Sequence, residues 1–143
     1  MNGYVKQYQN NQILNASPEM ILIMLYDGAI RFCRQAMQAM DSGDKLVMSE
    51  KISRTMAIVC EFANSLDHEV GGEIATDLDA LYAFMSRELI KANLNKERQP
   101  LETVEKLLVD LRGTWVEAIE VNRRNTRPEV VLGDNSKFVA ASY

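Results

Sequence analysis

Between Ser17 and Arg124 the apolar residues of this chain return every three or four positions, in four segments of helical length divided by short polar breaks. The second segment repeats Ile52, Met56, Val59, Ala63 and Leu66, and the third Ile74, Leu78, Leu81, Met85 and Leu89. The fourth repeats Leu101, Val104, Leu108, Leu111, Trp115, Ala118 and Asn122. This spacing lays one apolar stripe along a helix of 3.6 residues per turn, and no segment alternates as a half-buried strand would. Breaks fall at Ser17-Pro18, at Asp41 to Asp44, at Gly71-Gly72, at Asn95 to Pro100 and at Pro128.

These breaks predict four helices. The first runs from Pro18 to about Met40, with Ser17 as N-cap, Pro18 where a missing N–H costs nothing, and Glu19 in the positive first turn. The second begins near Asp44 and runs to about His68, where the glycine pair ends it. The third spans Glu73 to about Asn93, and the fourth Pro100 to about Arg124. Helices of this length are roughly 32–38 Å long, and connections this short make neighbours antiparallel. The expected architecture is all-α: an antiparallel up-down four-helix bundle over 17–124, with an N-terminal arm (1–16) and a C-terminal tail (125–143). The tail from Arg123 carries +2 and the rest −6, which gives it the charge to dock on the bundle, and the alternative, favoured for a chain end, is a frayed flexible terminus.

A chain of 143 residues buries roughly 70% of its unfolded surface, so neither a disulfide, a metal nor a cofactor is needed to hold the fold. The net charge of −4 lacks the cationic footprint that nucleic acid or anionic lipid selects. Cys33 and Cys60 each sit in an apolar stretch and read as buried thiols in a reducing compartment. The longest apolar run, Met20 to Tyr26, falls far short of the roughly 20 residues of a membrane span. No signal peptide is expected, and the expected location is the cytoplasm.

Catalytic chemistry is hard to build from these residues. A di-iron bundle needs two Glu-x-x-His pairs, whereas the one histidine, His68, has Ser65 three positions before it. Near the end of the second helix, His68 reads as a partner of that helix's C-terminal dipole. No strand-turn-helix elbow offers a nucleophile, and Glu73 after Gly71-Gly72 would oppose a bound phosphate. Asp77 with Asp79 and Glu117 with Glu120 fall on polar helix faces. No catalytic residue, metal ligand or cofactor is therefore assigned.

What the sequence has in excess is apolar surface. From Met20 to Met40, 15 of 21 residues are hydrophobic, against roughly three core positions in seven for a bundle helix. In the second helix Met48, Ile58 and Phe62 remain once a core stripe is assigned, with Ile58 and Phe62 four apart, and the third keeps Tyr82 and Phe84 in reserve. Three covers fit this surplus: the chain's own arm and tail, a second copy, or a partner helix. The arm supplies Tyr4, Val5, Tyr8, Ile13 and Leu14.

Ala16-Ser17-Pro18-Glu19 followed by Leu25-Tyr26-Asp27-Gly28-Ala29-Ile30-Arg31-Phe32 resembles the opening of the FliS family of flagellar export chaperones. Ser65-Leu66-Asp67, Gly71 to Leu78, Leu81-Tyr82 and Ala92-Asn93-Leu94 are similar to that family's second-to-third helix region, and Trp115 with Ala118 to its last helix. The resemblance covers about residues 4 to 122; the tail after Arg127 matches nothing in it. It implies a four-helix chaperone, not an enzyme, that binds the disordered C-terminal segment of flagellin along an apolar helical surface. The chaperone would prevent premature polymerisation and present its client to the flagellar type III export apparatus. By position, Val5 and Tyr8 correspond to the arm and its contact with the export gate protein. Ile58, Phe62 and Tyr82 are the expected flagellin-binding groove. Tyr26 is the expected packing support under the arm, with a plain core tyrosine as the alternative. The resemblance leaves room for a regulatory or co-chaperone partner. A structural bundle that self-associates through its surplus stripes is the competing reading.

Overall fold

A computed structural model describes residues 17–125, and they form four helices: α1 (Pro18–Asp41), α2 (Lys45–Asn64), α3 (His68–Asn95) and α4 (Gln99–Arg124). The arm residues Val5 and Tyr8, and the tail beyond Asn125, lie outside the described residues. Ser17 caps α1 as its sequence position predicts, its hydroxyl accepting from the Met20 N–H at 3.2 Å. Gly43, at φ +76°, makes the left-handed turn after α1 that a side chain would resist. Asp44 then caps α2 through the Val47 N–H.

The α2–α3 boundary differs from expectation. Helix α2 ends at Asn64, and Asp67 opens a new helix by accepting from the N–H groups of Glu69 and Val70. The expected break survives as a kink inside α3, where Gly72 has φ 52° and ψ −123°. Competition between an acidic N-cap and a glycine pair four residues on is resolved by using both: one turn from His68, then a bend, then the long helix. His68 thus stands exposed at a helix start, and the C-terminal dipole role expected of it is incorrect.

Each helix packs on its sequence neighbour, and α4 closes back on α1. The pairing runs in opposite senses. Along α1 and α4, Asp41 meets Arg98, Arg34 meets Glu105 and Asp27 meets Arg112, one number falling as the other rises. Tyr26 with Phe62 and Phe32 with Lys51 give the same antisense between α1 and α2, and Ser49 with Asn93 and Phe62 with Tyr82 between α2 and α3. Exposed ion pairs of this kind stabilise by about 0–1 kcal/mol each, so the α1/α4 ladder sets register more than it adds stability.

The core is a run of stripes at heptad spacing. Leu22, Tyr26, Ala29, Cys33 and Ala36 come from α1, and Met48, Ile52, Thr55, Val59 and Phe62 from α2. Helix α3 adds Ala75, Tyr82, Met85, Leu89 and Ala92, and α4 adds Leu101, Val104, Leu108 and Trp115. Buried Thr55 satisfies its hydroxyl on the Lys51 carbonyl at 2.8 Å. Two expectations fail here. Cys60 is exposed, one position out of phase with buried Val59, and Ile74, assigned to the α3 stripe, is 54% exposed because Ala75 takes the core position after the kink.

Gly28 is buried in the middle of α1, and a Cβ placed on it would lie 3.6 Å from Ile58 Cδ1, an ordinary contact. Gly28→Ala therefore removes the entropic cost of a mid-helix glycine without a clash and is expected to raise stability by about 0.5–1 kcal/mol in urea unfolding. A decrease would mean the α1/α2 seam cannot admit one methyl group.

Candidate functional site

Four aromatic side chains from the four helices meet at one level of the bundle. The Phe62 ring stacks on Tyr26 at 4.2 Å between centroids with 19° between planes, and lies 5.5 Å from Tyr82. The Tyr26 and Tyr82 hydroxyls share a 2.7 Å hydrogen bond, and the Trp115 indole N–H donates to the Tyr26 oxygen at 3.1 Å. Burial pushes the Tyr26 phenol well above its ordinary value, reinforced by the neighbouring Tyr82, and raises the Tyr82 phenol as well, so neither ionises in the physiological range. Tyr26 is thus a core tyrosine with a satisfied hydroxyl.

The expected groove residues are brought together, at differing depths. Phe62 and Tyr82 are only 3% and 2% exposed, and Met48 1%, so these three belong to the core and not to a reserve of surface. Ile58 is half-buried, one helical turn from Phe62 and against Gly28 of α1. The exposed large hydrophobics lie elsewhere: Val70, Ile74, Phe84, Ile90 and Leu94 on α3, Val109, Val116 and Val121 on α4, Leu46 on α2 and Met20 on α1, so of the two residues held in reserve on the third helix only Phe84 is at the surface. Beside Phe62, the buried Glu61 Oε2 has no hydrogen-bond partner, an acceptor that the apolar pattern gave no reason to notice. Trp115 was legible as core but not as the donor that orients Tyr26; its N–H was the available signal, since a buried indole needs an acceptor.

Among the described residues no three His, Cys, Asp or Glu side chains converge as a metal would need, and Asp77, Asp79, Glu117 and Glu120 are all exposed. No described helix is long and apolar enough to cross a membrane.

The two thiols separate cleanly. Cys33 Sγ donates to the Leu101 carbonyl at 3.3 Å, and burial, with the nearby Glu105 carboxylate, pushes its pKa up from 9.0 to about 12. A thiol-selective alkylating reagent at about pH 8 is expected to modify Cys60 alone in the native protein, and Cys33 only after denaturation. A protonated thiol is favoured by folding, so Cys33's contribution to stability is complete below about pH 9 and is lost as pH rises towards 12. Mass spectrometry showing equal modification of both in the native state would contradict the burial of Cys33.

Comparison with known proteins adds what geometry alone does not. A family model described as flagellar protein FliS matches residues 1–122. The chain is 35% identical over 114 residues to the flagellar secretion chaperone FliS of Salmonella typhimurium, covering 79% of this chain and 84% of that protein. It is 36% identical over 110 residues to the Campylobacter jejuni protein of the same name, covering 77% and 86%. Against the Bacillus subtilis one it is 30% identical over 118 residues, covering 82% and 87%.

Proposed function

The chain belongs to the FliS family of flagellar proteins, and from that premise we propose that it is a flagellar export chaperone whose client is the C-terminal segment of flagellin. The observation that carries this reading is the family match across residues 1–122, an arm and bundle together. It works by binding and not by catalysis, in the cytoplasm, before the client enters the export apparatus. The client segment arrives disordered and becomes helical along the bundle, so a long contact must offset the cost of ordering it. Apolar side chains on the chaperone then cover the stripes through which flagellin would otherwise polymerise.

The client contact is centred on Ile58, with Phe62 and Tyr82 as its floor and Glu61 offering a carboxylate oxygen to a client N–H. Tyr26 supports Phe62 from below through the ring stack. The arm, through Val5 and Tyr8, competes for this surface and contacts the export gate protein when displaced. An occluding arm lowers apparent affinity by the fraction of time the site is open. Deleting residues 2–15 is therefore expected to tighten client binding about tenfold; unchanged or weaker binding would remove the competitor role.

The test of the whole reading is calorimetric titration of the full chain with the C-terminal segment of flagellin from the same organism, with circular dichroism of the mixture. One-to-one binding with a gain of helix and a negative heat-capacity change is the expected result. No binding, together with a stable dimer of the chain alone, would instead favour self-association through the exposed apolar residues.

A further inference from the structure

Away from the aromatic level, the outer face of α1 and α2 carries a positive cluster that is only partly compensated, on a chain of net charge −4. The Arg31 guanidinium, the Lys51 ammonium and the Arg54 guanidinium lie 5.2, 5.5 and 5.6 Å from the centre of one ring, Phe32. Each attraction of a cation to an exposed ring is modest, about 0.5–1 kcal/mol, whereas three like charges around the same ring repel one another. Across the α1/α4 seam every arginine named above has its carboxylate: Arg34 has Glu105, Arg98 has Asp41, Arg112 has Asp27. Among the described residues, Arg31 and Lys51 have none, and only Arg54 has a partner, Glu50 on its own helix.

The cluster runs into a groove. Arg31, Gln35 and Gln38 follow one another at spacings of four and three along α1, and all three line a concavity of about 510 Å³ against α4. Gln35, one of these lining residues, has a buried Oε1 with no hydrogen-bond partner. A carbonyl oxygen without a donor needs an N–H, which a peptide backbone supplies and a phosphate does not. Cations at one edge, an apolar ring between them and an amide acceptor among the lining residues are together the recognition chemistry of an acidic peptide.

We propose that the α1/α2 outer face and the adjoining α1/α4 groove dock an acidic peptide segment of a partner protein, its carboxylates on Arg31 and Lys51 and a backbone N–H on Gln35. The net acidic charge of the whole chain sets the scale of that segment. A few carboxylates are attracted locally, while a long polyanion is repelled by the rest of the surface. This site shares no residue with Ile58, Phe62 or Tyr82 but adjoins them, since a Cβ on Gly28 would lie 3.6 Å from Ile58 Cδ1 and 3.8 Å from Arg31 Nη2.

The probe is a labelled ten-residue oligoglutamate peptide titrated into the full chain, with oligolysine and an oligouridylate of equal length alongside. The expected result is saturable binding of oligoglutamate that weakens as salt is raised from about 50 to about 300 mM. Amide resonances of Arg31, Phe32, Gln35 and Lys51 should shift most. The double variant Arg31→Gln with Lys51→Gln is expected to bind at least about fivefold more weakly, with an unchanged circular dichroism spectrum and melting curve, because Arg31 is exposed, Lys51 is only partly buried and neither has an ion-pair partner among the described residues. Gln35→Leu is expected to weaken binding with no change in its salt dependence. Binding unaffected by the double variant, resonance shifts confined elsewhere, absence of saturable binding, or oligouridylate binding as tightly as oligoglutamate would each overturn the proposal.

Discussion

Phe62→Ala is expected to destabilise the bundle by roughly 3–5 kcal/mol, the largest loss of any single substitution considered. The ring is 3% exposed, stacks on Tyr26 at 4.2 Å and approaches Tyr82 at 5.5 Å, so truncation opens a void between three helices. The neighbours cannot easily collapse into it. Tyr26 is held by the Trp115 indole and the Tyr82 hydroxyl, and moving it would break a buried hydrogen-bond network. Loss of the aromatic pairing adds to the transfer and cavity terms. With urea slopes of about 1–3 kcal/mol per molar, the unfolding midpoint should fall by roughly 2 M. Phe62→Leu, which keeps most of the volume, should cost only about 1–2 kcal/mol. A Phe62→Ala loss below about 1.5 kcal/mol would mean the ring does not fill the core.

This residue also marks how far the sequence could be read. Four helices were legible because the apolar spacing is regular and the starts of α1 and α4 carry their own signals, Ser17-Pro18 and Pro100. The start of α3 was not, because Asp67 and Gly72 lie five positions apart and each is a valid boundary; only packing decides that both are used. After that kink Ala75 and not Ile74 takes the core position, while Met85 and Leu89 further along stay in the expected phase. Periodicity put Ile58 and Phe62 one turn apart on a stripe beside the core, whereas Phe62 lies in the core with Val59 and only Ile58 is half-buried. It could not tell that Phe62 lies deep, since depth depends on which helix stands opposite: Tyr26 and Tyr82 come from 36 residues before and 20 after. The salt-bridge ladder between α1 and α4 was invisible for the same reason, for Asp27 and Arg112 are 85 residues apart and meet only once the register exists.

Ile58→Asp should separate binding from folding where Phe62 cannot. Ile58 is half-buried and lies over Gly28, so a carboxylate there can turn towards water in the free protein, and the expected loss of stability is about 1–2 kcal/mol. In the complex proposed above, that escape is closed by an apolar client helix. A carboxylate held in such an interface costs a few kcal/mol, and Glu61, three residues along the same helix and already without a partner for Oε2, makes a second negative charge less welcome still. Affinity for the flagellin C-terminal segment is therefore expected to fall by about 100-fold. The helical circular dichroism of the free chain should persist, and Gly28→Ala, which fills the space under Ile58 from the α1 side, should leave affinity within about threefold. Fluorescence anisotropy of a labelled client segment measures both. Should Ile58→Asp bind within threefold of the unmodified chain, the client contact does not pass over Ile58. The exposed residues of α3, Ile74, Ile90 and Leu94, would then be the next surface to substitute.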